Sequence, residues 1–130
     1  MRIRPIIAVD YDDTLVSYDT GEINEKLFDA LKKFRKAGGK VILWTCRNDA
    51  KLYEAVVTCA EYGLCFDAIN HNTPEEYVLF KNGHGSPKVF AQLYIDDLSQ
   101  ENISQALEKI EALLNEFISY KESGEEIYDI

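Results

Sequence analysis

The sequence has 130 residues, 46% of them hydrophobic, and a formal net charge of −9 at pH 7. This length suits one compact domain, which we expect over residues 1–120, followed by an acidic tail over residues 121–130 that frays. The negative charge argues against nucleic acid as a partner, because such binding relies on clustered Lys and Arg. Any phosphate site must therefore be positive only locally.

The N-terminal residues lead through a short apolar run directly into Asp10, which fits neither a signal peptide nor a membrane span. The three cysteines, Cys46, Cys59 and Cys65, have no CxxC spacing and cannot all pair within the chain. We therefore expect a cytoplasmic protein with reduced thiols and no membrane partner.

Short β-rich runs alternate with helical patterns along the chain, which predicts an α/β fold with a parallel sheet. Helical spacing of apolar residues extends from Asn24 to Gly38, from Asn48 to Gly63 and from Ile103 to Ile118. In the connection 70–87, residues 73–76 have a capping-box pattern that predicts a short helix over the site. The predicted strands are residues 6–9, 41–44, 66–69 and 93–95.

Polar residues follow three of the predicted strands. Asp10 and Asp12 follow the first, Thr45 follows the second, and Asp96 and Asp97 follow the fourth. In an open parallel sheet these strand ends share one edge, where ligands bind. Four carboxylates at one edge repel one another, and a hard cation with oxygen ligands relieves that repulsion. The pattern therefore predicts a magnesium site.

Four segments resemble the ordered motifs of the haloacid dehalogenase (HAD) superfamily. Residues 7–15, IAVDYDDTL, are similar to its first motif, a hydrophobic strand followed by DxDx(T/V), and residues 41–45, VILWT, resemble the second. Lys88 matches the lysine of the third motif, and residues 94–97, YIDD, match the acidic pair of the fourth. The resemblance implies a three-layer Rossmann-like parallel sheet and a magnesium-dependent phosphatase that forms an aspartyl-phosphate.

The resemblance also implies a catalytic role for each matched residue. Asp10 would be the nucleophile, and Asp12 would protonate the leaving oxygen and then activate water. Thr45 and Lys88 would bind the transferring phosphoryl group of a phosphorylated small-molecule substrate. Lys81, in the same loop as Lys88, is a competitor for the lysine role.

The implied metal ligands are carboxylates and one backbone carbonyl. Asp10, the carbonyl of Asp12 and Asp96 would hold Mg²⁺, while Asp97 would either bind it through water or orient Lys88. Oxygen donors of this kind suit a hard cation.

Two features concern substrate access and recognition. Connections 16–23 and 70–87 are too short for the cap domain that many HAD proteins insert, so we expect an open, capless site. Arg47, two residues beyond Thr45, could bind a carboxylate or second phosphate of the leaving group, or pair with a nearby carboxylate such as Asp49.

Other functions fit the pattern less well. A receiver-type phosphoacceptor domain uses similar residues, but its acidic pair comes first in the chain, whereas here it comes last. A catalytically inactive HAD-like binding or regulatory module is the other alternative, although each matched position retains a competent side chain. Within the first motif, Asp13 stands at a position where many HAD members carry Gly.

Overall fold

The computed structural model describes residues 2–79, 88–96 and 100–129. Its strands form one parallel sheet in the order β3-β2-β1-β4. The strands are β1 (Ile6–Val9), β2 (Lys40–Leu43), β3 (Ala68–Ile69) and β4 (Leu93–Ile95), and the helices are α1 (Glu25–Lys36), α2 (Asp49–Glu61), α3 (Glu75–Leu79) and α4 (Gln100–Glu122). The predicted α/β class is confirmed, and the described residues include no cap domain.

The central strand β1 is buried on both faces, as its uninterrupted apolar sequence predicts. Ile7 and Val9 belong to the larger core cluster, which also contains residues of α1, α2 and α4. Ile6 and Ala8 belong to a second cluster, which contains residues from 89–91 and against which Val78 of α3 packs. The sheet thus lies between two covering layers, in agreement with the predicted three-layer arrangement.

Helix α1 has the boundaries that its sequence signals predict. The Asn24 side chain accepts a hydrogen bond from the backbone N–H of Leu27 and so caps the first turn. After the last turn, Gly38 adopts a φ of 110°, a conformation that other residues rarely reach. A Cβ atom at Gly39 would lie 2.4 Å from the ring of Phe34, so this second glycine allows the buried ring its place. These features direct the chain from α1 into β2.

The short helix predicted in the long connection is present as α3, but its cap differs from the prediction. The hydroxyl of Thr73 is buried without a hydrogen-bond partner, so the predicted side-chain cap does not form. Instead, fully buried Glu75 forms an ion pair with Lys40, the first residue of β2. The predicted site follows the last residue of β2, whereas Glu75, the first residue of α3, is anchored to the first residue of that strand.

The C-terminal segment does not fray as predicted. Helix α4 continues to Glu122, and the following residues pair with the N-terminal segment. The backbone N–H of Arg2 donates to the carbonyl of Glu126, and that of Tyr128 donates back to the carbonyl of Arg2. Arg4 also pairs with Asp129 at 3.2 Å. Acidic residues of the tail are thus held by basic residues at the start of the chain.

Two further properties concern cysteines and membranes. All three cysteines are free thiols, and Cys59 is fully buried. Among the described helices, none has the length and apolar character that crossing a bilayer requires.

Candidate active site

The carboxyl ends of β1, β2 and β4 lie side by side. Val9 is in register with Leu43 on one side and Ile95 on the other. One residue further, the backbone N–H of Asp10 donates to the carbonyl of Ile95 at 2.9 Å, and that of Trp44 donates to the carbonyl of Val9 at 2.8 Å. Asp10 therefore emerges between the two neighbouring strands, with Asp96 following directly on one of them.

A tight turn follows Asp10 and determines where Asp12 lies. The carbonyl of Tyr11 accepts hydrogen bonds from the N–H groups of residues 14, 15 and 16. Asp13 adopts a φ of 58°, which explains why glycine suits this position, and its carboxylate accepts from the N–H of Tyr18. The turn brings Asp12 into a backbone bridge with Val16, so Asp12 is fixed at the same edge as Asp10.

Asp12 forms a two-point ion pair with Arg47. The Nε of Arg47 donates to Oδ2 at 2.9 Å, and its Nη2 donates to Oδ1 at 2.8 Å. The guanidinium also lies 4.7 Å from the centre of the Tyr11 ring. The hydrogen bonds to Asp12 raise the pKa of Arg47 above its usual value. Of the two roles expected for Arg47, the structure thus shows ion pairing, but with Asp12 and not with Asp49.

Thr45 is positioned by Asn70, the residue that follows β3. The N–H of Thr45 donates to Oδ1 of Asn70 at 2.8 Å, and Nδ2 of Asn70 donates to the carbonyl of Thr45 at 2.9 Å. The hydroxyl of Thr45 accepts from the backbone N–H of Arg47 at 3.1 Å. Asn70 adopts a φ of 56°, which asparagine tolerates better than most residues. Its side chain continues the pairing of β2 with β3 beyond the last backbone contact.

Lys88 is tied to the same region by a second asparagine. Nδ2 of Asn72 donates to the carbonyl of Lys88 at 2.9 Å, and Oδ1 of Asn72 accepts from the N–H of Phe90 at 2.6 Å. The backbone of Lys88 is therefore attached to the segment just after β3, and Lys88 is exposed. Lys81 and Asp97, the other candidates, lie outside the described residues.

Sequence reasoning assigned no positioning role to Asn70 and Asn72. Asn70 stands directly after the predicted third strand and Asn72 two residues later, at a point where a polar side chain can take over pairing from the backbone. That placement was the available signal. Their partners are 25 and 16 residues away along the chain, which no local pattern reveals.

Comparison with known proteins identifies the family. A family model of haloacid dehalogenase-like hydrolases matches residues 7–130. The chain belongs to this family. A solved structure of a conserved protein from Bacteroides thetaiotaomicron is similar to this hydrolase, with 35% sequence identity and a TM-score of 0.61. The match covers 74% of this chain and 78% of that one. No curated protein matches the sequence.

The described part of the hydrolase offers oxygen donors for a hard cation. Asp10 and Asp96 follow neighbouring strands, and Oδ1 of Asp10 accepts from the N–H of Tyr11 at 2.7 Å. Within the described residues, no group of three or more Asp, Glu, His or Cys side chains could hold a metal. Among the described residues, those that would contribute to a magnesium site are the carboxylates of Asp10 and Asp96 and the backbone carbonyl of Asp12. The hard oxygen chemistry of these donors fits Mg²⁺.

Proposed function

We propose that this HAD-like hydrolase is a magnesium-dependent phosphomonoester hydrolase that works through an aspartyl-phosphate on Asp10. The observation that supports this most strongly is the placement of Asp10 at the end of the central strand, between the ends of β2 and β4. The N–H of Tyr11 orients its carboxylate by donating to Oδ1. A carboxylate nucleophile held in this way divides one difficult displacement into two easier steps.

In the proposed reaction, Asp10 forms a bond to phosphorus while the bond to the leaving oxygen breaks. Asp12 gives its proton to that oxygen and afterwards removes a proton from the water that hydrolyses the aspartyl-phosphate. Asp10, the carbonyl of Asp12 and Asp96 would hold Mg²⁺, with Asp97 as a further candidate. The bound cation would offset the repulsion between carboxylate and phosphate.

The phosphoryl group would be bound by Thr45 and Lys88. Because the Thr45 oxygen already accepts from the N–H of Arg47, its own O–H is available to point toward a phosphoryl oxygen. The ammonium group of Lys88 would add positive charge in a protein whose net charge is −9. These two groups would supply the local positive potential that a phosphate site requires here.

We further propose that one catalytic domain spans residues 1–120 and acts on phosphorylated small molecules in the cytoplasm. The net charge of −9 supports a substrate other than nucleic acid, because clustered basic residues dominate nucleic-acid affinity. The short connections 16–23 and 70–87 support an open site.

A phosphatase screen tests the proposal. The purified protein is assayed with Mg²⁺ against aryl phosphates, sugar phosphates and nucleotides, before and after exhaustive chelation. Asp10→Asn should abolish turnover because an amide is a poor nucleophile, whereas Asp29→Asn, which changes an exposed aspartate on α1, should retain it. Full activity after chelation, or in the Asp10→Asn protein, would contradict the proposed mechanism.

A further inference from the structure

The ion pair between Asp12 and Arg47 has a consequence for the proposed acid–base chemistry. Both carboxylate oxygens of Asp12 accept from the guanidinium, at 2.8 and 2.9 Å. The two donors occupy one lone pair on each oxygen and hold the carboxylate face to face with the guanidinium. Asp12 is thus engaged by Arg47 through both oxygens, and only a change of partner by Arg47 would release it.

Arg47 is held by partners besides Asp12, which makes it a defined element and not a loose surface side chain. Its Nη1 donates to the carbonyl of Lys51 at 3.2 Å, and its guanidinium lies over the buried ring of Tyr11. These contacts keep the guanidinium at the edge of the sheet where Asp10 emerges. An anion bound there would meet a preformed two-point donor.

The pair is nevertheless within reach of solvent. The side chain of Arg47 is 20% exposed and that of Asp12 is 32% exposed. Partly exposed ion pairs are weakened by competing water and ions, in contrast to fully buried pairs. A second carboxylate or phosphate arriving with a substrate can therefore compete with Asp12 for the same two donors.

We propose that Arg47 exchanges partners during the reaction: it releases Asp12 when a phosphate ester with a second anionic group on its leaving portion binds. We call the exchangeable ion pair between Arg47 and Asp12 the latch. This inference rests on the proposed phosphatase function and specifies its substrate class. The second anion accepts the hydrogen bonds of Nε and Nη2 in place of Asp12. The released carboxylate then has both oxygens free of Arg47 and can turn toward the leaving oxygen. Esters without a second anion leave the latch closed.

Three substrates with matched leaving groups test the latch. They are propyl phosphate, its analogue with a terminal carboxylate and its analogue with a terminal second phosphate. The wild-type protein should prefer at least one of the two anionic analogues by about tenfold or more in kcat/KM, as charge-assisted hydrogen bonds imply. The two analogues distinguish a carboxylate from a phosphate as the second anion.

The Arg47→Ala variant should change the two kinds of substrate in opposite directions. Its kcat/KM should fall about tenfold or more for the preferred anionic analogue, yet rise for propyl phosphate, because Asp12 is no longer paired. Arg35→Ala is the matched control, since Arg35 also makes a two-point pair, with Asp67, at 3.1 Å for both contacts. A structural role for Arg47 would lower kcat/KM for all three substrates together, and that result would overturn the latch.

A spectroscopic measurement observes the exchange without turnover. In the Asp10→Asn protein, the Nε–H resonance of Arg47 should shift when the preferred anionic analogue is added and stay in place with propyl phosphate. The Nε–H of Arg35 serves as an internal reference. An unshifted Arg47 resonance at saturating anionic analogue would overturn the latch while leaving phosphatase activity intact. Absence of hydrolysis of every phosphate ester by the wild-type protein would instead overturn the proposed function.

Discussion

Removing the side chain of Asn70 tests how the candidate site holds Thr45. Asn70 makes two hydrogen bonds to the Thr45 backbone, at 2.8 and 2.9 Å. A hydrogen bond of this kind contributes about 0.5–1.5 kcal/mol to stability. Two such bonds would together contribute about 1–3 kcal/mol. Because Asn70 is exposed and water can replace part of this contribution, we expect Asn70→Gly to lower the free energy of unfolding by about 1–2 kcal/mol.

The choice of replacement separates the hydrogen bonds from the backbone conformation. Asn70 has a φ of 56°, which glycine adopts without strain and alanine does not. The Asn70→Ala variant should therefore lose roughly 1–2 kcal/mol more than Asn70→Gly, the cost of a left-handed conformation for an ordinary residue. Urea unfolding measures both values. Asn115→Ala, at an exposed position on α4, is the control and should change little.

The same variants should also affect catalysis. Without Asn70, the backbone of Thr45 loses its link to the end of β3, and the proposed phosphate-binding hydroxyl can move. Because a shift of about 1 Å can cost roughly a hundredfold in rate, we expect kcat for an aryl phosphate to fall at least about tenfold in Asn70→Gly. An Asn70→Gly protein with unchanged urea midpoint and unchanged kcat would refute the positioning role.

Three further predictions concern a lysine, a buried ion pair and a thiol. Lys88→Ala should lower kcat severely while Lys81→Ala changes it little, as measured with an aryl phosphate; the reverse ranking would move the third motif to Lys81. Glu75→Ala should lower the free energy of unfolding by about 3 kcal/mol, the low end for a buried pair, because it leaves Lys40, whose side chain is 14% exposed, without its partner. The double change Lys40→Met and Glu75→Leu should recover most of that loss in urea unfolding, and a failure to recover would show that the pair is not the cause. Burial raises the pKa of Cys59 to about 12, so this thiol should resist alkylation in the folded protein at about pH 8 and react after unfolding, as peptide mass spectrometry can show. Rapid labelling of Cys59 in the folded protein would contradict its burial. Since the folded state holds the Cys59 proton more tightly than the unfolded state does, the free energy of unfolding should fall as pH rises from about 9 toward 12.

The fold was largely predictable because its signals are local. The apolar residues of β1 and the Asn24 cap with Gly38 at the two ends of α1 each act within a few residues of the chain. The edge formed by Asp10, Thr45 and Asp96 follows from the parallel sheet once the strands are known. These features depend on propensity and topology, which a single sequence carries.

The contacts that were missed or wrongly assigned join residues far apart in the chain. Arg47 and Asp12 are 35 residues apart, and Lys40 and Glu75 are also 35 apart. A charged side chain has several possible partners in the sequence, and only the packing of the segments decides among them. For this reason the pattern at residues 73–76 predicted a helix correctly but not its anchor, and the acidic tail was wrongly expected to fray.

The most direct test of the central claim is to trap the proposed aspartyl-phosphate. The wild-type protein is mixed with Mg²⁺ and its best substrate, quenched in acid within the first turnover, and digested for peptide mass spectrometry. We predict that the peptide containing Asp10 carries the mass of one phosphoryl group, and that Asp10→Asn and magnesium-free samples lack it. Turnover with no phosphorylated peptide, or with the phosphoryl group on another residue, would contradict the assignment of Asp10 as the nucleophile.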